Sequence, residues 1–176
     1  MTESFFIGIT LPESFRVEVE MWRRRFAAPK TAPHITVIPP FEWSAADGDL
    51  EKTVEESLAG LGSFPIIAQE IGHFGTSVIF VAVSPSPEIM TLHKQLVTGL
   101  SLEYKGSSRS RPRPYHPHIT LATRLTPGAF HTYMEKLHGY APQASFTCSQ
   151  VTIFKLVTQG RIRRWQVWRE VPVGSR

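Results

Sequence analysis

From Phe5 to Leu11 the chain is almost unbroken in apolar, β-favouring residues and is closed by Pro12, which predicts a first, buried strand. The period then changes. Phe15, Val19, Trp22 and Phe26 recur at three- and four-residue spacing, predicting a helix over 13–28. Arg23, Arg24 and Arg25 fall near its end, where positive charge suits the helix macrodipole, and read as a solvated helix end in preference to a nucleic-acid contact. A strand follows from Pro33 to Ile38 and stops at Pro39-Pro40. Asp47-Gly-Asp marks a turn and cap, and 49–61 reads as a helix. Two strands, 64–74 and 77–84, join at Gly75-Thr76 as a hairpin.

After the punctuation Ser84-Pro-Ser-Pro87, residues Ile89, Leu92, Leu96 and Leu100 stripe a helix over 88–102. A polar loop, 105–114, carries Arg109, Arg111 and Arg113 directly into another strand at Pro117 to Leu121. Thr126-Pro-Gly opens a helix over 127–138, and two final runs, 145–157 and 163–173, flank Gln159-Gly160 as a hairpin. No linker separates independent domains. The order predicts an α+β fold: one two-lobed domain over 1–176, with pseudo-repeated halves of about 1–84 and 85–176, two antiparallel sheets, helices outside and a central cleft.

Composition narrows this picture only a little. The chain has 176 residues, 41% hydrophobic and 19% charged, as expected of a globular domain. Cys148 is the only cysteine, so an internal disulfide is impossible and a reducing, cytoplasmic setting is expected. No run reaches the length of a membrane span, and the first residues carry no basic signal-like stretch. A net charge of +4 favours an anionic partner, with no obligatory protein partner indicated.

The chemistry lies in a repeated tetrapeptide. Pro33-His34-Ile35-Thr36 recurs as Pro117-His118-Ile119-Thr120, one copy in each half. On an extended backbone His and Thr share a face and the intervening Ile points the other way, so each copy offers one imidazole and one hydroxyl to a common side. Two such strands would gather two histidines and two threonines around one small anion. Histidine, with an unperturbed pKa of about 6.5, lets such a pair hold one neutral and one protonated member near neutral pH. The threonine hydroxyls would donate to non-bridging oxygens.

The two His-x-Thr strands, His34-Ile-Thr36 and His118-Ile-Thr120, resemble those of the two-histidine phosphoesterase superfamily, which includes the bacterial 2'-5' RNA ligases and RNA 2',3'-cyclic phosphodiesterases. The resemblance implies a bilobal α+β fold with the motifs facing across a cleft. It also implies metal-independent hydrolysis of 2',3'-cyclic phosphate ends of RNA or nucleotides to 2'-phosphates, without a cofactor. It makes His34 the proton donor to the leaving oxygen and His118 the acceptor that activates water, and the same pair run backwards would ligate 2'-5'. Val37-Ile-Pro-Pro-Phe41 follows the first motif where the RNA ligase branch has an aromatic-Leu-Gly ending, so the chain resembles a looser branch. The expected substrate-binding residues are Arg111, Arg113, Tyr115, Phe41 and His116.

Three other readings compete. His116-Pro-His118 presents two imidazoles on one strand face, which would need a third ligand such as His34 or His73 to hold zinc. A non-catalytic nucleotide- or RNA-binding module would keep the cleft without turnover. Either motif alone would read as structural; the duplication argues otherwise. The remaining histidines, His73, His93, His131 and His138, read as structural or surface residues.

Overall fold

A computed structural model describes residues 1–28, 31–102 and 114–174. The chain forms β1 (Thr2–Thr10), α1 (Glu13–Arg25), β2 (His34–Ser44), α2 (Leu50–Ser57), β3 (Phe64–Phe74), β4 (Val78–Val83), α3 (Pro87–Gly99), β5 (His118–Ala122), α4 (Pro127–Lys136), β6 (Gln143–Cys148), β7 (Gln150–Gln159) and β8 (Ile162–Pro172). Local chemistry explains the helix starts. Asp49, Ser86 and Thr126 each accept from a backbone N–H in the first turn, and Pro87 and Pro127 occupy positions where their missing N–H costs nothing.

The fold is α+β, with every strand pairing antiparallel, and among the described residues all eight strands belong to one sheet in the order β6-β3-β4-β5-β2-β1-β7-β8. Two separate sheets were expected. Instead, two four-stranded wings join where β2 meets β5, through the single pairing Ile35 with Ile119. Pro33 and Pro117 stand two positions before the paired isoleucines and have no N–H to donate, which keeps this ladder short. The wings are nested along the sequence: one is built from β1, β2, β7 and β8, and the other, from β3 to β6, lies between β2 and β7.

The expected single strand over 145–157 is two strands. Ser149 alone separates β6, at one edge of the strand order, from β7, next to the other edge. Strands so far apart in the order can be joined by one residue only if the sheet curls, bringing its two ends together there. The Val173 N–H donates to the Ser149 carbonyl at 2.8 Å and pins that junction. Periodicity could not reveal this break, because the apolar pattern continues through it.

All four helices send apolar side chains, including Val19, Val54, Leu92 and Phe130, into one cluster with Ile35, Val37, Ile119 and Leu121. They therefore cover one face of the sheet. Residues 32–38 and 116–122 repeat the same sequence of burial classes, with both prolines and both isoleucines buried and both His-Thr pairs half-buried on the opposite face. Among the described residues no helix is long and apolar enough to cross a membrane.

Candidate active site

Because Ile35 pairs with Ile119 antiparallel, the register sets His34 beside Thr120 and Thr36 beside His118. The four polar side chains thus share the face turned away from the helices, related by an approximate two-fold axis through the isoleucine pair. Each histidine is oriented in the same way. His34 Nδ1 lies 2.8 Å from the Ala32 carbonyl, and His118 Nδ1 lies 2.7 Å from the His116 carbonyl. A carbonyl oxygen only accepts, so Nδ1 carries the hydrogen in both rings and Nε2 is left for chemistry. The proline after each accepting residue holds that residue extended, which aims its carbonyl back at the ring.

Aromatic pairs support both rings. His34 packs on Phe6 (centroids 4.8 Å apart) and Phe154 (5.6 Å), which stack on each other at 4.4 Å. His118 packs on Phe74 (5.1 Å) and Phe80 (5.0 Å), themselves 4.5 Å apart. Phe6, Phe80 and Phe154 are buried without joining the helix-side core. Two glycines make room. A Cβ on Gly8 would stand 3.0 Å from the Ile35 carbonyl and 3.3 Å from the His34 ring, and one on Gly72 would stand 2.4 Å from Phe80.

Burial, above all, lowers the His34 pKa from 6.5 to about 4; its bond to Ala32 opposes this, while the positive charges of Arg23 and His118 push the same way. His118 is lowered by the same first cause, opposed by its bond to His116 and reinforced by the neighbouring His116 ring. The charge of His118 is therefore felt at the His34 ring.

A cavity of ≈ 270 Å³ opens against His34, Thr36 and Thr120, walled by Phe6 and Trp165, with Arg23 also on its lining. Among the described residues neither threonine hydroxyl is engaged by another protein group, so both can donate to a ligand. A larger depression, ≈ 570 Å³, lies over the β3 bulge and the end of α4 beside Glu70, Met134 and His138, far from this chemistry in the fold.

The expected binding residues have different fates. Tyr115 reaches the motif strand, but its hydroxyl donates to the Thr36 carbonyl at 2.9 Å and its ring stacks on His93 at 4.2 Å. His93 Nδ1 in turn faces the Val37 carbonyl at 2.8 Å, so the two side chains hold β2 where its pairing with β5 has ended. Phe41 packs toward Phe5 and Trp43, bordering the helix-side core, and Pro40 takes the place on the cavity wall. His116 is exposed, edge-on to Phe74 and Phe80, and contributes its carbonyl to His118. Arg111 and Arg113 lie outside the described residues. His73 bonds to the Gly75 carbonyl in the β3–β4 turn, and no group of three or more metal-ligating side chains converges among the described residues.

Six residues on the cavity wall, Phe6, Arg23, Thr31, Pro40, Thr123 and Trp165, are not among the expected site residues. Arg23 was grouped with its exposed neighbours, although it continues the Phe15–Val19 spacing onto the buried face of α1, and only 8% of it is exposed. Phe6 lies in the apolar run 5–11, which reads as a buried strand, and Trp165 lies in a run whose alternation is too loose to assign a face.

An antiparallel α+β sheet presenting two facing His-x-Thr strands defines a class of phosphoesterase-like proteins. The family model of the 2'-5' RNA ligase superfamily matches residues 11–160, and the chain belongs to that family, consistent with the two-histidine phosphoesterases and with enzymes acting on phosphodiester-type substrates. Solved structures share the fold. Escherichia coli LigT complexed with 3'-AMP is 18% identical, with a TM-score of 0.70, covering 99% of this chain and 100% of that one. A structure described as a phosphoesterase is 19% identical (TM-score 0.69; 99% and 100% covered), and TT0787 of Thermus thermophilus is 13% identical (TM-score 0.69; 98% and 100% covered). No curated protein matches the chain.

Proposed function

We propose that this protein is a metal-independent phosphodiesterase that opens 2',3'-cyclic phosphate ends of RNA or nucleotides to 2'-phosphates. The observation that supports the reading is the antiparallel register through Ile35 and Ile119, which turns both His-Thr pairs to one face of the sheet, with His34, Thr36 and Thr120 on the lining of the cavity there. In the proposed reaction His118 Nε2 takes a proton from water as its oxygen attacks phosphorus. The bond from phosphorus to O3' breaks, and His34 Nε2–H gives its proton to O3'. Thr36 and Thr120 donate to the non-bridging oxygens as charge accumulates there. Solvent then resets the pair.

This order of roles comes from the family resemblance. Burial opposes the protonated form that this role asks of His34. A bound anion acts the other way, offsetting the charge of Arg23 and giving protonated His34 a partner. The cavity walls, Phe6 and Trp165, suit a nucleobase or ribose against an aromatic surface. The same site run in reverse would join a hydroxyl end to a cyclic phosphate, with water favouring hydrolysis.

The test is turnover of nucleoside 2',3'-cyclic phosphates with a chelator present. Chelator-resistant hydrolysis abolished by His34→Ala and by His118→Ala supports the proposal. Tight nucleotide binding with no turnover points to a binding module, and loss of turnover on chelation points to a metal site.

A further inference from the structure

We propose that Arg23 is the anion clamp of this cleft, its guanidinium donating directly to the non-bridging oxygens of a bound phosphate. The inference rests on the reading of the cleft as a phosphoester site and adds to it a ligand-touching residue that neither motif contains. Three observations converge. Arg23 extends from the last turn of α1 and shares the cavity lining with His34, Thr36 and Thr120. It is 8% exposed and continues the core-facing positions of Phe15 and Val19, so its charge meets the cavity at a dry end, where attraction for an anion is little screened. That charge is also felt at the His34 ring.

The neighbouring arginines have other tasks. Arg24 is 84% exposed, and Arg25 lies over the Trp22 ring at 5.0 Å. Glu20, whose charge also acts on Arg23, is bonded to Arg16 at 2.9 Å and is thus shared between cations. A planar guanidinium suits the forked geometry of phosphate better than an ammonium does. Thr31 and Thr123, on the same cavity lining, bring further hydroxyl donors to the site.

The experiment measures binding of inorganic phosphate by calorimetry, together with thermal unfolding, for the wild type, Arg23→Met and Arg23→Lys. Phosphate affinity is expected to fall about 10- to 100-fold in Arg23→Met and by less in Arg23→Lys. The phosphate-induced rise in Tm expected of the wild type should shrink in parallel, without a drop in the ligand-free Tm. Unchanged phosphate affinity in Arg23→Met overturns the proposal, as does a lowered ligand-free Tm with affinity retained, which marks a structural role. If neither variant folds, the wild type is treated with an arginine-modifying dicarbonyl. Protection of Arg23 by phosphate, read by peptide mapping, supports the clamp, and its absence overturns it. Arg23-dependent phosphate binding in a protein that turns over no cyclic phosphate would leave this inference standing and remove the catalytic reading. Turnover that ignores Arg23 would do the reverse.

Discussion

Ile35 and Ile119 face each other across the one position that pairs β2 with β5 among the described residues, and both are fully buried. That contact fixes the spacing of two strands whose other faces hold the reacting groups, so packing and chemistry are coupled through it. Truncating either isoleucine to alanine is expected to cost about 2–5 kcal/mol of stability by leaving a core cavity. Urea denaturation measures the loss, and turnover assayed well below the transition should still fall, because the strands no longer hold their spacing.

Removing the imidazoles tests the dyad directly. His34→Ala and His118→Ala should each reduce cyclic phosphate hydrolysis about 100- to 10,000-fold, the usual value of one proton transfer. The double variant should fall little further, since the two groups act on one transition state. Additive losses would argue for independent sites.

The two glycines offer a subtler perturbation. Gly8→Ala drives a methyl against the His34 ring and the Ile35 carbonyl, and Gly72→Ala drives one into Phe80 beneath His118. Small displacements of a catalytic group cost up to about 100-fold in rate, so both variants should lose turnover with a larger effect on kcat than on KM. Steady-state kinetics with a cyclic nucleotide separate the two parameters.

The low pKa of His34 ties the stability of the fold to pH. The folded protein keeps this ring neutral down to about pH 4, whereas the unfolded chain takes up a proton near 6.5. The unfolded state thus binds more protons between these values, and the His34 contribution to stability, complete above about pH 6.5, is lost as pH falls toward 4. His34→Gln should flatten that part of the stability profile. NMR titration of the wild type should place the His34 midpoint near 4 without ligand and higher with phosphate bound; a free-protein midpoint at 6.5 would contradict the buried setting.

Tyr115 tests whether β2 needs its clamp. Tyr115→Phe removes the donor to the Thr36 carbonyl and leaves the stacking on His93, for a cost of about 1 kcal/mol. If Tyr115 instead met the substrate, KM would rise with stability unchanged. Paired denaturation and kinetic measurements distinguish these results.

Much of this was legible in the residues, and what was not has identifiable causes. The motifs declared themselves because period-two alternation places His and Thr on one face whatever the rest of the fold does. Most helices and strands follow apolar spacing to within a few residues. Strand order did not, because pairing β5 with β2 and β7 with β1 depends on contacts between distant segments. The break at Ser149 was hidden by uninterrupted β-propensity on both sides. Phe41 and Arg23 exchanged expected places: an aromatic residue beside prolines looks like a cleft wall, and an arginine among arginines looks solvated, until packing assigns each a side.

The crossing at Ser149 has a consequence for how the chain can be made and cut. The wing that bears His34 is completed only by β7 and β8, which follow β6 in the chain, while the wing that bears His118 lies wholly between β2 and β7. The wing that bears His118 is therefore one continuous stretch of chain, whereas the wing that bears His34 is split around it and closes only with the strands after Ser149. The contact order is high, which favours slow, all-or-none folding. A chain ending at Cys148 would retain both His-x-Thr motifs yet lack Phe154 and Trp165, leaving half of a dyad without its seat.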